Sequence, residues 1–223
     1  MALSGLPAQD RKPRRIGVFG GSFDPPHNAH VALVQAAIDE LQLDELRVLP
    51  TGDAWHKARA LTASVHRLAM TRLAFDGLPR VVVDDRELQR LGPTFTIHTL
   101  QVLQAENPGA QFYLVMGDDQ FSMFRQWHQW QAILQIAIIC IAARAANTAA
   151  IGQFDAYNEL KSRFLMLHLP LMPVSATRIR QLLAAGSDNL QAVSHMVPAP
   201  VARYISSNRL YSSCQPDGST PFH

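Results

Sequence analysis

From Gly17 to His30 the chain reads GVFGGSFDPPHNAH: a short apolar run, two glycines, a loop broken by two prolines, and two histidines three residues apart. Residues three apart lie on one face of a helix, so His27 and His30 would point toward the same ligand. Gly20 and Gly21 let a backbone approach a bulky anion closely, and the free N–H groups and dipole of a helix start favour negative charge. The chemistry this pattern suits is phosphate binding where a strand ends and a helix begins. The plainer alternative is a histidine pair that only caps or packs the helix start.

A second segment, VSATRIR from Val174 to Arg180, places Ser175, Thr177 and Arg180 at the start of a late helix. Hydroxyls, a guanidinium and helix N–H groups together make a second anion site. Ser175 or Thr177 also reads simply as an N-cap. Gly117 is followed by Asp118 and Asp119, a pair that reads either as exposed turn residues or as metal-holding carboxylates. A His-x-x-His pair with no third ligand at fitting spacing argues poorly for zinc, so no resident metal is expected. Trp127 lies among Phe121, Phe124 and Trp130, where core packing competes with ligand contact. Arg144 reads either as a phosphate contact or as a solvated charge. His66, His98, His128, His168 and His195 sit in no motif.

These residues need a frame. Apolar runs at 16–19, 46–49, 81–83, 112–116, 136–141 and 165–169 have strand length and are separated by segments long enough for helices. Such alternation predicts an α/β domain, with a mostly parallel sheet covered by helices on both faces. The glycine turn and His27 then fall at the carboxyl edge of the sheet, where ligands of open parallel sheets bind. Helices are expected at 64–75, 96–105, 129–134, 153–161 and 177–185, besides the one after Pro26, and a terminal helix from the stretch 188–211.

The opening string resembles the nucleotidyltransferase superfamily marked by a His-x-Gly-His motif, and specifically its nicotinate-nucleotide adenylyltransferase branch. Residues 20–30 match that branch's opening except at Ala29, where the family usually has glycine. The segment 174–180 is similar to its Ile-Ser-x-Thr-x-Ile-Arg motif. The resemblance, spanning roughly residues 14–211, implies a Rossmann-like doubly wound fold and transfer of an adenylyl group from ATP to nicotinate mononucleotide with release of pyrophosphate. It implies catalytic roles for His27, His30 and Arg180, aided by Mg²⁺. ATP would be held by these together with Gly20, Gly21, Ser22, Phe23, Gly117, Asp119, Ser175 and Thr177. The acceptor would meet His56 and Lys57, which stand in a loop similar to the family's Pro-Pro-His-Lys with Ala54 and Trp55 replacing the prolines. It would also meet Thr94 and Thr96 in a turn like the family's Pro-Ser/Thr-Tyr-Thr, and Trp127 stacked on the pyridine ring; Arg144, placed by its position after an apolar run and not by the resemblance, is a further candidate for its phosphate. Rival readings are an adenylyltransferase acting on phosphopantetheine, a cytidylyltransferase, and a nucleotide sensor without turnover.

The bulk properties agree with a small-molecule enzyme. Twenty basic and 18 acidic side chains leave a net charge of +2, with no broad field for nucleic acid or membrane. Two cysteines, Cys140 and Cys214, make neither a disulfide framework nor a metal set, which suits a reducing cytoplasm. The most continuous apolar run, 136–143, is too short to span a bilayer, and the first residues lack the basic-then-apolar order of a signal peptide. Residues 1–13 and 212–223 read as flexible tails around one domain, 14–211. A homo-oligomer is compatible with this reading.

Overall fold

A computed structural model describes residues 12–52, 61–143, 162–170, 172–185 and 190–212. Six strands form one sheet: β1 (Arg15–Gly21), β2 (Glu45–Pro50), β3 (Val81–Val83), β4 (Gln111–Gly117), β5 (Ala137–Ala143) and β6 (Phe164–His168). Their order is β3-β2-β1-β4-β5-β6, and every neighbouring pair is parallel. The chain therefore winds outward from β1 in one direction and from β4 in the other. A crevice opens beyond the carboxyl ends of these two central strands, as such a reversal requires.

The helices are α1 (Asn28–Glu40), α2 (Ser64–Phe75), α3 (Thr96–Glu106), α4 (Asp118–Ser122), α5 (Trp130–Ile136), α6 (Ala176–Ala184), α7 (Leu190–Val193) and α8 (Ala199–Ser207). The period-two geometry of the strands sends alternate side chains to opposite faces. Phe112, Leu114 and Met116 of β4 join α3, α4 and α5 in one core, whereas Tyr113 and Val115 join α1 in the other. Being covered on both faces explains why β4 and β5 read as unbroken apolar runs. In a third cluster Met70 of α2 packs with Ile179, Leu183, Val193, Val201 and Ile205, bringing the carboxyl-terminal helices against α2.

Strand and helix positions follow the sequence reading closely. The expected strand at 136–141 begins at Ala137, because α5 runs on to Ile136. The stretch expected to end in one terminal helix holds α7 and α8, with Pro198 as the N-cap of α8. The expected helix at 153–161 and most of both expected tails lie outside the described residues.

Candidate active site

Two adjoining cavities occupy the crevice. The first, of about 370 Å³, is walled by Gly20 and Gly21 at the end of β1 with Ser22, Asp24, His27, Ala29 and His30 beyond it, by Gly117 at the end of β4 with Asp118 and Asp119 beyond it, and by Ser175, Ala176 and Thr177 at the start of α6. The second, of about 440 Å³, is walled by Thr51, Glu87, Thr94, Phe95, Thr96, Met123, Trp127 and His128. Phe19, Gly20, Gly21, Ser22, Gly117 and Gln120 belong to both. One glycine-rich ridge thus divides two chambers that each suit a small ligand.

The first chamber collects helix N-termini. His27 is the N-cap of α1, and its backbone N–H donates to His30 Nδ1 at 3.2 Å. The two rings stack with centroids 3.6 Å apart and planes 14° from parallel. Burial, and then the neighbouring His27, hold His30 well below the usual histidine range. His30 is therefore neutral at pH 7, and because Nδ1 accepts, its proton sits on Nε2 as a hydrogen-bond donor. Ser175 caps α6 by accepting from the Arg178 N–H at 3.2 Å. The pair of motif histidines and the motif serine do cap their helices, and they do so while facing the cavity.

A Cβ at Gly21 would stand 2.9 Å from the Phe23 ring, and one at Gly117 would stand 2.7 Å from Asp119 Oδ1. At Gly20 it would meet no protein atom within 4 Å, so the room there belongs to the chambers. Phe23 takes φ +45, a conformation L residues seldom adopt, with its side chain fully buried against Phe19, His30 and Phe75. Such a turn costs of order 1–3 kcal/mol and persists because its surroundings hold it. Ala29 is an ordinary helical residue of α1 without positive φ, so its methyl group meets the first chamber unstrained.

Apolar and aromatic surface dominates the second chamber. Trp127 is half-buried, edge-on to Phe124 with centroids 5.6 Å apart, and lies on the chamber wall. The buried Thr94 hydroxyl has no hydrogen-bond partner among the described residues, a cost that a bound polar group would relieve. Beside it Glu87 is buried, accepting from the Thr99 hydroxyl at 2.7 Å, while Arg90 donates to the same hydroxyl at 3.2 Å. Burial is the main cause that pushes the Glu87 carboxyl above the ordinary range. Gly52 passes beneath: a Cβ there would overlap the Glu87 carbonyl and the Thr94 hydroxyl.

The sequence pattern of the cytidylyltransferase-like family matches residues 18–182. A relative from Albidiferax ferrireducens, named a probable nicotinate-nucleotide adenylyltransferase, is 56% identical over 90% of this chain and 99% of its own length. One of the same name from Methylibium petroleiphilum is 40% identical over 93% of this chain and 96% of its own. The chain belongs to the nicotinate-nucleotide adenylyltransferase family. Its fold is also that of the Plasmodium falciparum nicotinic acid mononucleotide adenylyltransferase complexed with NaAD, with TM-score 0.72 at 19% identity over 89% of this chain and 97% of that one.

Of the residues expected to hold ATP, Gly20, Gly21, Ser22, His27, His30, Gly117, Asp119, Ser175 and Thr177 all line the first chamber. Phe23 and Arg180 are on neither wall. Phe23 supports from beneath. Arg180 donates to the Asp24 carbonyl at 2.6 Å and to the Thr177 hydroxyl at 3.1 Å, fastening α6 to the loop after β1. Thr94, Thr96 and Trp127 come together in the second chamber. His56, Lys57 and Arg144 lie outside the described residues.

Sequence reading missed several members. Asp24 is fully buried and accepts from the Tyr211 hydroxyl at 2.7 Å and the Thr62 N–H at 3.3 Å. Glu87, Arg90 and Thr99 lie in and after a segment of no periodicity. Arg67 carried a usable signal: it falls on the same helical face as Met70, Thr71 and Phe75, a charge on a core face.

Proposed function

We propose that the chain transfers an adenylyl group from ATP to nicotinate mononucleotide, giving nicotinate adenine dinucleotide and pyrophosphate. The observation that carries this is the pair of chambers meeting at the ridge of Gly20, Gly21, Ser22 and Gly117. One is rich in helix N-termini for a triphosphate and the other is aromatic for a pyridine nucleotide. The reacting phosphates meet over the ridge, where the glycines leave room.

The acceptor's 5′-phosphate is itself an anionic nucleophile. It attacks the α-phosphorus of ATP as the bond to pyrophosphate breaks, and no protein nucleophile is needed. The protein's task is to hold two anions in line and to stabilise charge that grows on the departing pyrophosphate. His30, neutral with its proton on Nε2, donates to the transferring phosphate. The N-termini of α1 and α6 supply N–H groups and favourable dipoles. Mg²⁺ fits as part of MgATP, since it favours phosphate oxygens and water with one or two carboxylates, and Asp118 and Asp119 are the carboxylates after β4 on that wall. Bound so, it supplies neutralisation of the phosphate charge.

In the second chamber Trp127 offers a flat π-face to the pyridine ring, and Thr94 and Thr96 offer donors to its carboxylate. Donors preset for a full negative charge are left poorly matched by a carboxamide, so the acid form is preferred. No helix among the described residues is long and apolar enough to cross a membrane, and a reducing cytoplasm suits the cysteine content.

The test is pyrophosphate release from MgATP with nicotinate mononucleotide and nicotinamide mononucleotide as parallel acceptors, the dinucleotide being identified by mass. Strong preference for the acid supports reaction and pocket together. Equal use of the amide retains the reaction and removes the carboxylate role of Thr94 and Thr96. No release with either removes the reaction.

A further inference from the structure

Arg67 stands in the core face of α2, only 3% exposed. Its Nε donates to the Thr62 carbonyl at 2.9 Å, and its Nη1 donates to the Ser22 carbonyl at 3.0 Å and the Thr51 carbonyl at 2.8 Å. Ser22 follows β1 and lines both chambers, whereas Thr51 follows β2 and lines only the second. Parallel strands end with carbonyls whose strand partners have run out, and such groups cost free energy if buried unpaired. One guanidinium meets this need at two neighbouring strand ends and at the approach to α2.

Burying a guanidinium is expensive, and an apolar side chain would serve packing alone as well or better. Arginine is suited here because its planar fork donates in several fixed directions at once, which the single ammonium of lysine does not do. The strands themselves are already registered, with the Thr51 N–H donating to the Gly21 carbonyl at 2.8 Å. What Arg67 adds is placement of Ser22, where the chain leaves the ridge, relative to Thr51 on the acceptor side.

From this geometry we infer that Arg67 is a positioning residue that sets the spacing between the adenylyl donor and the phosphate acceptor, although it touches neither. This rests on the reaction assigned above. In-line transfer tolerates little misplacement, and an error of about 1 Å costs on the order of a hundredfold in rate.

The experiment compares steady-state kinetics of wild type, Arg67→Lys, Arg67→Gln and Leu183→Ala, each below its own melting temperature. Leu183 is buried against Met70 and Ile179 in the third core cluster and is on neither chamber wall, so its truncation reports general destabilisation. Expected is a kcat lower by about tenfold to a hundredfold in Arg67→Lys, with KM for each substrate changed much less. Leu183→Ala should lose melting temperature but keep kcat near wild type. Arg67→Gln retains a single amide group with two N–H donors and no charge, and gives the same kcat-against-KM reading should the lysine variant fail to fold. Kinetics within twofold of wild type in a folded Arg67 variant, or a kcat loss no greater than that of Leu183→Ala, overturns the inference. An inactive wild-type chain overturns the reaction and this role together; an active wild type with unaffected Arg67 variants overturns this role alone.

Discussion

The two chambers share a wall and are built by different means. The first chamber, the proposed donor site, is made of places where regular structure stops: the carboxyl ends of β1 and β4 and the N-termini of α1 and α6. Its donors are largely consequences of backbone geometry. The second chamber, the proposed acceptor site, adds more side-chain surface to the shared ridge: Trp127 after a short 3-10 turn, Phe95 and Thr96 at the start of α3, and Glu87 braced by Thr99. Backbone termini recognise any phosphate, which suits ATP as a common donor. Side chains on irregular segments provide selection, which suits the acceptor.

The comparison is sharpened most by His30→Ala. Removal of a donor used in the transition state should lower kcat by about 10²–10³, with little change in KM for either substrate; unchanged turnover in the folded variant would remove His30 from the chemistry. Trp127→Ala should act on the other chamber alone. Loss of a stacking face worth about 1 kcal/mol beyond its area raises KM for nicotinate mononucleotide by roughly fivefold or more and leaves KM for ATP unchanged. A matching rise for both substrates would break the division between chambers.

Smaller effects test the finer contrasts. Glu87 is held protonated more strongly folded than unfolded, burial being the main cause, so its ionisation costs stability as pH rises above its ordinary value of 4.5. Glu87→Gln keeps an acceptor for Thr99 without the charge. Its melting temperature, relative to wild type, should therefore increase from about pH 5 to about pH 8; a difference that is flat with pH would show that Glu87 does not titrate across that range. Ala29→Gly should change kcat/KM for ATP by less than about threefold, since Ala29 is unstrained and a helical glycine costs only about 1 kcal/mol.

The first chamber was the more legible of the two, and the reason is physical. Glycines at strand ends, hydroxyls at a helix start and histidines at helical spacing are the residue types that termini demand, so Gly20, His27, His30 and Ser175 declare themselves in the sequence. Buried parallel strands likewise show as apolar runs, which is why β1, β2, β4 and β5 were found with ends differing by one or two residues; β3 and β6, the partly buried edge strands, were found to within one residue. The second chamber was legible only where the sequence resembled a known motif, at Thr94, Thr96 and Trp127, which do line it. Glu87, Arg90 and Thr99 make contacts that depend on how an irregular segment lies across α3, and no periodicity announces them. Arg180 matched its motif, yet its observed contacts fasten α6 to Asp24. Tyr211 reaches Asp24 from the far end of the described chain, a contact that local reading has no means to see.

The central claim is that one ridge separates a donor chamber from an acceptor chamber. A crystal structure with nicotinate adenine dinucleotide bound tests it most directly. The account predicts the pyrophosphate bridge over Gly20, Gly21 and Gly117, the adenylyl half beside His30 and Ser175, and the pyridine ring stacked on Trp127. A dinucleotide lying in the reverse sense, or with its pyridine ring away from Trp127, would contradict it.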